Sequence, residues 1–350
     1  MKNILVTGGA GFIGSHTCLA LLQKGYEVFV IDSFFNSSPK SLDRVVDILN
    51  SEKGYGFRSI KVFRGDLCNK TFVEKVFQYF FKEEINIDGV IHLASLKSVS
   101  DSLKNPILYW KNNLYGMINL LELMKKINCK NLVFSSSATV YGNHGDTTLK
   151  ENFITKPDNP YGNSKLLIEI LLNDIFHANE LDWKFASLRY FNPIGAHNSG
   201  LLGEEPKGNP NNIFPLIINT AFGVQKEFKI YGNDWPTKDG TTIRDYIHIM
   251  DLAESHVKIF EYLNLKKTAN LKLNIGTGRK TSVLDLLATF EMVNKVKVPY
   301  IFCDRRPGDI PYLVADNNLS ISKFKIIPTR NIEDMCRDGW RWKKLNPEGY

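Results

Sequence analysis

The first half of the chain alternates short apolar runs with longer amphipathic stretches. The apolar runs predict strands at residues 3–7, 27–31, 60–64, 88–93, 131–135 and 184–189. The amphipathic stretches predict helices near residues 12–24, 39–50, 70–82, 106–128 and 161–179. Strand followed by helix in this rhythm favours an α/β fold, in which right-handed crossovers build a doubly wound parallel sheet covered on both faces.

The pattern changes after residue 191. Residues 192–212 are rich in Gly, Pro and Asn and predict a long loop, followed by a helix at 213–224 and a short strand near 227–231. Later elements are predicted at 250–263, 271–275, 281–294, 298–303 and 332–342. We therefore expect a sheet domain over residues 1–191 and a smaller mixed α/β region over residues 192–350, with the chain crossing between them more than once.

Composition and charge exclude several classes of function. The 350 residues are 43% hydrophobic and 23% charged, as in an ordinary globular protein. The net charge of +7 comes from basic residues that cluster only in pairs, so no nucleic-acid surface is expected. The seven histidines lack the spacing of a metal site, so no metal is expected.

The cysteines and the N-terminal sequence indicate the cellular compartment. Five widely spaced cysteines form an odd set, which favours a reducing environment over a disulfide framework. The chain opens directly on a strand-like run, so no signal peptide is expected. No apolar run approaches the roughly 20 residues that a membrane span needs. We expect a cytoplasmic protein without a membrane partner.

A glycine-rich turn joins the first predicted strand to the first predicted helix. Gly8, Gly11 and Gly14 let the backbone turn tightly and approach a pyrophosphate, and the helix N-terminus offers free N–H groups to the anion. Their spacing differs from the usual Gly-x-Gly-x2-Gly fingerprint. Because strand, turn and helix are all present, we interpret the turn as a dinucleotide site.

Polar residues follow the next three predicted strands. Asp32 ends the second strand, where a carboxylate can accept from both ribose hydroxyls and repel a 2′-phosphate, which favours NAD over NADP. The alternative is an ordinary surface carboxylate at a strand end. Asp66, beside the third strand, is a weaker candidate for the adenine, and Lys97, after the fourth, for a phosphate or the nicotinamide.

A tyrosine and a lysine four residues apart follow the fifth predicted strand. Tyr161 and Lys165 share one face of a helix that Pro160 can open. Such a pair often lies on a surface, but a lysine ammonium also lowers the pKa of a neighbouring phenol and makes it a base. Ser137 ends the fifth strand at the same sheet edge. We expect it to donate to a substrate oxygen while Tyr161 removes the proton.

These motifs together resemble the extended short-chain dehydrogenase/reductases, and within them the UDP-glucose 4-epimerases. The similarity covers nearly the whole chain. The glycine turn and the Tyr-x3-Lys pair specify the superfamily alone, whereas RYFNPIGAH and DGTTIRDYIHIMDLA are typical of the epimerases. The resemblance implies a Rossmann-type domain, a homodimer formed through the helices near 106–128 and 161–179, and interconversion of UDP-glucose and UDP-galactose in galactose metabolism.

The resemblance also implies site residues, position by position. The implied catalytic set is Ser137, Tyr161 and Lys165. The implied NAD contacts are Gly8, Phe12, Ile13, Asp32, Asn36, Asp66, Leu67, Lys97, Asn112, Tyr161, Lys165 and Tyr190. The implied nucleotide-sugar contacts, besides Ser137 and Tyr161, are Asn192, Asn212, Tyr231, Arg244, Arg306 and Asp309. Arginines suit a diphosphate, amides suit sugar hydroxyls and a tyrosine suits a uracil ring, although each arginine taken alone also fits a surface salt bridge.

The chain departs from the family pattern at three places. Ser95 stands where many members carry Gly or Ala. Leu313 lies at a position that limits space near carbon 2 of the sugar, and it is neither a bulky aromatic nor a small residue, which leaves acceptance of N-acetylhexosamines open. Residues 36–59 are longer than in bacterial members and predict an enlarged surface loop.

The sequence bears on three alternative functions. A 4,6-dehydratase would carry Asp-Glu where this chain has Ala138 and Thr139. A 4-epimerase acting on a UDP-pentose or a UDP-uronate uses the same chemistry and stays open. A non-catalytic NAD-sensing module would not need the complete set of Ser137, Tyr161 and Lys165.

Overall fold

The computed structural model describes residues 2–52, 59–178, 182–208 and 210–350. A parallel sheet of seven strands runs through the described part of the chain in the order β11-β6-β5-β4-β1-β2-β3. The strands are β1 (Asn3–Thr7), β2 (Glu27–Asp32), β3 (Lys61–Arg64), β4 (Ile87–His92), β5 (Asn131–Ser137), β6 (Lys184–Tyr190), β7 (Asn192–Ile194), β8 (Phe228–Tyr231), β9 (Ile243–Arg244), β10 (Tyr246–His248), β11 (Ala269–Ile275), β12 (Thr281–Ser282), β13 (Tyr300–Cys303) and β14 (Tyr312–Leu313).

Helices cover both faces of the sheet and build the C-terminal region. They are α1 (Phe12–Gln23), α2 (Lys40–Ser51), α3 (Lys70–Lys82), α4 (Val99–Lys104), α5 (Pro106–Trp110), α6 (Gly116–Lys126), α7 (Pro160–His177), α8 (Ile213–Ala221), α9 (Ile249–Asn264), α10 (Val283–Asn294), α11 (Asn318–Phe324) and α12 (Ile332–Leu345). A π-helical turn, Lys111–Tyr115, joins α5 to α6, and a 3₁₀ turn, Ala138–Val140, follows β5.

The two faces of the sheet bury separate apolar clusters. Successive side chains of a strand point to opposite faces, so Ile4 and Val6 of β1 pack with α1, α2 and α9, whereas Leu5 packs with α3, α6 and α7. Because both faces are covered, the strands are continuous apolar runs rather than alternating ones. The predicted doubly wound α/β fold is confirmed.

The helix predicted over residues 106–128 is three pieces, and that prediction was wrong in detail. Pro106 opens α5 directly after α4, which was not predicted. The π turn then adds one residue per turn and places Asn113 inward, where its amide bonds both backbone groups of Leu96. Of the other predicted segments, residues 53–58 of the expected loop, residue 179 of the α7 prediction and residue 209 lie outside the described residues.

The C-terminal region has its own apolar core. It is formed by α8, α10 and α12 around three small sheets, which pair β7 with β10, β8 with β13, and β9 with β12 and β14. The segment predicted as a loop over 192–212 also contains the short strand β7. Two later elements return to the large sheet, since β11 is its edge strand beside β6 and α9 packs on α1. None of the described helices is both long and apolar enough to cross a membrane.

Candidate active site

A cavity of about 380 Å³ opens where the carboxyl ends of the central strands face the C-terminal region. Its walls come from both parts of the chain, and they unite the predicted catalytic and nucleotide-sugar residues. The predicted residues that line it are Phe12, Ile13, Lys97, Ser137, Tyr161, Tyr190, Asn192, Asn212, Tyr231, Arg244, Arg306 and Asp309. Lys165 lies behind Tyr161 on α7 and is buried.

The start of α7 is fixed by local structure that the sequence specifies. The Asn159 side chain caps the helix by accepting from the Gly162 N–H at 2.8 Å, and Pro160 occupies the first turn. Gly162 lets the helix approach the 3₁₀ turn closely, because a Cβ there would lie 3.0 Å from the carbonyl oxygen of Thr139. These contacts place Tyr161 beside the end of β5.

Each of the three serines at the end of β5 holds a different partner. The Ser135 carbonyl accepts from Lys165 Nζ at 2.8 Å, and the Ser136 hydroxyl donates to Glu169 Oε1 at 2.5 Å. Ser137 Oγ accepts from both the backbone N–H and the hydroxyl of Thr139, at 3.2 and 2.9 Å. Its own O–H therefore donates to the Tyr161 oxygen, which is the direction that lowers the pKa of that phenol.

The expected lowering of the Tyr161 pKa by Lys165 is wrong for this structure. Burial raises the pKa of Tyr161 to about 12, and only the hydrogen bond from Ser137 acts in the opposite direction. Burial also lowers the pKa of Lys165 to about 7, which weakens the positive charge near the phenol at neutral pH. The geometry of the pair is as expected, since Lys165 Nζ lies 5.8 Å from the centre of the Tyr161 ring.

The glycine-rich turn can be built only without side chains. Gly8 has a φ of +69°, and a Cβ at Gly14 would lie 2.1 Å from the Gly8 carbonyl oxygen. Gly11 precedes α1 and brings no side chain to cap the first-turn N–H groups, which leaves them for an anion. The cradle fits a dinucleotide pyrophosphate.

Asp32 is buried at the end of β2 and binds the loops on either side of it. Its Oδ2 accepts from the Ala10 N–H at 2.9 Å, and its Oδ1 accepts from the Phe34 N–H and the Ser37 hydroxyl, each at 2.8 Å. A carboxylate has about four acceptor positions, so about one stays available for a ribose hydroxyl. For Asp32 to accept from both ribose hydroxyls, as expected, one hydroxyl must therefore share an acceptor position with a protein donor.

Three further predicted cofactor residues form a group beside β3. The exposed Asp66 accepts from the Cys68 N–H at 2.9 Å, and the Asn112 amide of the π turn lies 3.9 Å from Cys68 Sγ. Leu67, which lies between Asp66 and Cys68 in the chain, is buried. Since β3 is the edge strand of the sheet, two strands away from β1 and its glycine turn, this group fits the adenosine end of a dinucleotide.

Two other predicted cofactor residues, Asn36 and Lys97, contact the C-terminal region. Asn36 Oδ1 accepts from the Lys207 N–H at 2.9 Å. Lys97 Nζ lies 3.5 Å from Oε1 of Glu204, and the same oxygen accepts from the Asn212 amide at 2.6 Å. Glu204 was not predicted, although it connects a cofactor candidate with a substrate candidate.

Arg244 and Asp309 are neighbours in the nucleotide-sugar part of the cavity. Arg244 Nη1 donates to the carbonyls of Ile243 and Ile310, both at 2.9 Å, and Nη2 lies 3.6 Å from Asp309 Oδ1. Burial lowers the pKa of the Arg244 guanidinium. One edge of the guanidinium is thus fixed by the backbone, and the other is available to a diphosphate.

Arg306 and Tyr231 also contact each other. The Arg306 guanidinium lies 4.3 Å from the centre of the Tyr231 ring. One face of the ring is therefore covered by a cation, and a uracil that stacks on Tyr231 must use the other face or displace Arg306.

Two buried polar atoms in the cavity wall suit a polar ligand. Asn192 Oδ1 and the Tyr246 hydroxyl have no hydrogen-bond partner within the described ranges. Leaving such atoms unpaired costs about 1–3 kcal/mol each, so both favour a ligand rich in hydroxyl and amide groups. Tyr246 is not among the residues predicted from the sequence, although it lies inside the DGTTIRDYIHIMDLA motif.

Outside the cavity, a buried histidine orients another predicted residue. The Tyr190 hydroxyl hydrogen-bonds His256 Nε2, and His256 Nδ1 lies 2.8 Å from the Leu252 carbonyl. Within residues 2–52, 59–178, 182–208 and 210–350, no group of three or more His, Cys, Asp or Glu side chains is arranged to hold a metal ion.

Comparison with known proteins identifies the family. A family model described as GDP-mannose 4,6 dehydratase matches residues 5–339. UDP-glucose 4-epimerase of Bacillus subtilis (strain 168) is 45% identical over 99% of this chain and 98% of its own length. The chain belongs to the UDP-glucose 4-epimerase family. A bifunctional UDP-glucose 4-epimerase and UDP-xylose 4-epimerase of Pisum sativum, also 45% identical, matches 100% of this chain and 97% of its own.

Solved structures of family members share the fold. The crystal structure of UDP-glucose 4-epimerase from Bifidobacterium longum in complex with NAD+ and UDP has a TM-score of 0.92 and 42% identity, with each chain covered completely. The enzyme from Stenotrophomonas maltophila with bound NAD and formylated UDP-arabinopyranose has a TM-score of 0.92 and 40% identity, over 99% of each chain.

Proposed function

We propose that this chain interconverts UDP-glucose and UDP-galactose with bound NAD, as a UDP-glucose 4-epimerase acting in galactose metabolism. The observation that carries the proposal is the single cavity that brings Ser137 and Tyr161 together with Asn192, Arg244 and the other nucleotide-sugar residues. Membership of the family supplies the reaction type. No carboxylate stands at Ala138 or Thr139, where a dehydratase would need its acid and base.

Tyr161 is the base in this proposal. As a phenolate it takes the proton of the 4-hydroxyl, while Ser137, whose O–H hydrogen-bonds Tyr161 before the sugar binds, donates to the sugar oxygen and orients it. Lys165 stabilises the phenolate as long as the amine is protonated. The resulting 4-keto sugar turns about its bond to the diphosphate and presents its other face, so that Tyr161 returns the proton to a product of opposite configuration.

The residues that hold NAD in this proposal are those of the glycine turn, Asp32, the group beside β3 and the cavity residues Phe12, Ile13, Lys97 and Tyr190. Bound there, NAD would supply a hydride acceptor for carbon 4 of the sugar and would be regenerated in each turnover. The glycine cradle and the uncapped start of α1 fit the pyrophosphate.

Tight binding of the uridine diphosphate allows the sugar to turn freely. Arg244, Arg306 and Asn212 provide cations and an amide for the diphosphate, and Asn192 provides an unpaired acceptor. Interactions with the non-reacting part of the substrate supply the binding energy without fixing the sugar.

The test is to incubate the purified protein with UDP-galactose and to quantify UDP-glucose and the absorbance of NADH. Formation of UDP-glucose to an equilibrium mixture, without net NADH formation, is the expected result. A 4-keto product that accumulates would identify a dehydratase, and absence of any conversion would contradict the proposal.

A second activity, on UDP-pentoses, is supported by one of the comparisons. The Pisum sativum relative is named for both UDP-glucose and UDP-xylose epimerisation and matches the whole chain. A UDP-pentose lacks carbon 6 and leaves the reacting carbon and the diphosphate contacts unchanged. Adding UDP-xylose to the assay tests this activity, and an absence of UDP-arabinose would contradict it.

We also propose that the protein is a cytoplasmic homodimer. Large apolar side chains are exposed on the helices predicted to pair, namely Ile107 and Leu108 on α5, Tyr115 in the π turn, and Leu167 and Ile170 on α7. Several large apolar side chains exposed on neighbouring helices are typical of a protein interface. Analytical ultracentrifugation tests the proposal, because a mass of one chain at micromolar concentration would contradict it.

A further inference from the structure

Ser95 lies against the amine of Lys165, although it belongs to a different strand connection. Lys165 Nζ donates to Ser95 Oγ at 2.9 Å and to the Ser135 carbonyl at 2.8 Å. Ser95 follows β4 and Ser135 lies near the end of β5, so the two acceptors hold the amine between neighbouring strands. An ammonium has three donors, and the protein therefore uses two of them before any ribose hydroxyl is bound.

The positions of Ser95 and Lys165 are fixed by hydrogen bonds from Asn113 to the residue next to each of them. The Asn113 amide bonds the N–H of Leu96, next to Ser95, at 2.9 Å and its carbonyl at 3.2 Å. The same amide donates to the hydroxyl of Ser164, next to Lys165, at 2.9 Å. One buried side chain thus connects the two backbone segments that carry Ser95 and Lys165.

We propose that Ser95 is a positioning residue for the epimerase reaction, which holds the Lys165 amine in place and favours its charged form. A hydrogen bond to the charged form of an amine raises the fraction that is protonated, and in a buried site few other groups can do so. Ser95 keeps its own O–H after accepting from Lys165, so it can also donate to the cofactor ribose. The inference rests on the proposed function.

The other groups around Lys165 do not replace this contact. His92 on β4 faces the amine, but burial lowers its pKa to about 3, so it is neutral. Tyr161 shares α7 with Lys165, and burial raises the pKa of its phenol, which disfavours the phenolate that could hold the amine charged. Tyr190 on β6 contacts Ser135, and burial raises the pKa of that phenol too. On β5, the Phe134 ring lies 5.0 Å from Nζ and the Ser135 carbonyl accepts from it, and both contacts remain unchanged when Ser95 is replaced.

The experiment compares Ser95→Ala, Ser95→Thr and Ser102→Ala with the unchanged holoenzyme. Thr retains the hydroxyl, and Ser102 is a buried serine of α4 whose hydroxyl donates to the Val99 carbonyl of the same helix. Two quantities are measured in each protein, the pKa of Lys165 from the ¹³Cε shift of labelled lysine and the dependence of turnover of UDP-galactose on pH. Assignment of the lysine signal uses Lys165→Met.

Ser95→Ala is expected to lower the pKa of Lys165 by about one pH unit, the effect of losing one hydrogen bond to a charged group. The apparent pKa above which turnover falls in the pH profile should decrease by the same amount. At pH values above that pKa, turnover should therefore be about tenfold lower than in the unchanged protein. Ser95→Thr should restore both quantities, and Ser102→Ala should change neither.

An unchanged Lys165 pKa and an unchanged limb in Ser95→Ala would overturn the inference. If Lys165→Met abolishes turnover while Ser95→Ala behaves as the unchanged protein, the inference fails and the proposed function stands. If Lys165→Met retains full turnover, the role of Lys165 and the inference fail while the proposed activity stands, and if the unchanged protein does not convert UDP-galactose, the proposed function itself fails.

Discussion

Glu169 and Arg189 form a buried ion pair between α7 and β6. Arg189 donates to the carboxylate through Nε at 3.0 Å and through Nη2 at 2.7 Å, and Ser136 of β5 donates to it as well. Glu169 lies about two helical turns after Tyr161, and Arg189 precedes Tyr190. The pair therefore fixes the helix of the proposed base against the two strands that carry Ser136 and Arg189.

Replacing Glu169 by Ala should strongly destabilise the protein. The change leaves the Arg189 guanidinium buried without its carboxylate, and loss of one partner of a buried pair costs about 3–5 kcal/mol. Unfolding in guanidinium chloride measures the loss. As a control, Glu74→Ala removes the exposed pair of α3 with Lys126 and should leave the unfolding free energy nearly unchanged. Equal effects of the two changes would contradict the prediction.

Replacing Tyr161 by Phe should reduce turnover of UDP-galactose by about 10²–10⁴-fold, the usual contribution of a general base. UDP binding, measured by calorimetry, should change little, because the variant retains Arg244 and Arg306, the expected diphosphate contacts. Tyr300→Phe removes a hydroxyl from the exposed strand β13 and serves as the control. Turnover near that of the control would exclude Tyr161 as the base.

Replacing Arg244 by Lys should weaken UDP binding about 10- to 100-fold. A lysine cannot bond the carbonyls of Ile243 and Ile310 and still offer a second edge to the diphosphate. Calorimetric titration with UDP measures the change, and Arg337→Lys on the surface of α12 is the control. An unchanged dissociation constant would remove Arg244 from the binding site.

Replacing Leu313 by Ala should widen the range of sugars. Leu313 lines the cavity on β14 beside Arg244, and a smaller side chain leaves room for a substituent at carbon 2. The ratio of kcat/KM for UDP-N-acetylgalactosamine to that for UDP-galactose should rise about tenfold. A factor of this size is usual when a few carbon atoms are removed from the wall of a substrate pocket. Leu319→Ala on α11 should leave the ratio unchanged. A constant ratio in both variants would place the sugar elsewhere.

Stability should fall as the pH is lowered from about 6.5, in part because of His16. Burial lowers the pKa of His16 to about 3, so between pH 6.5 and 3 the unfolded chain binds a proton that the folded chain does not. This contribution is fully present above pH 6.5 and is lost at about 1.4 kcal/mol per pH unit below it.

The measurement is the unfolding free energy of the unchanged protein and of His16→Leu at several pH values between 4 and 8. His92 and His256 have lowered pKa values of about 3 and about 4 and should keep part of the slope in the variant. If the unfolding free energy changes with pH equally in the two proteins, His16 is protonated in the folded protein and the prediction is wrong.

The fold class and the family could be predicted from the sequence because they depend on local patterns. Alternation of apolar and amphipathic runs defines the sheet and its helices, and the motifs around Gly8, Tyr161 and Arg244 are contiguous. The division at residue 191 and the roles of the site residues stay predictions.

The contacts between distant segments could not be predicted. The π turn depends on Asn113 meeting Leu96 and Ser164 in space, and no local pattern indicates such a contact. The pKa of Tyr161 was misjudged because a sequence shows the neighbouring lysine but not the burial of both groups. Glu204 was missed because only the folded chain brings it to Lys97 and Asn212.

The edge position of β11 has a consequence for biosynthesis. A ribosome delivers the first six strands of the sheet long before residue 269, so β6 waits with an unpaired edge while the elements of the C-terminal region emerge. A nascent chain of about 250 residues therefore exposes a strand edge that can pair with other polypeptides. Chaperones must shield this edge until the final quarter of the chain, which contains β11, has been synthesised.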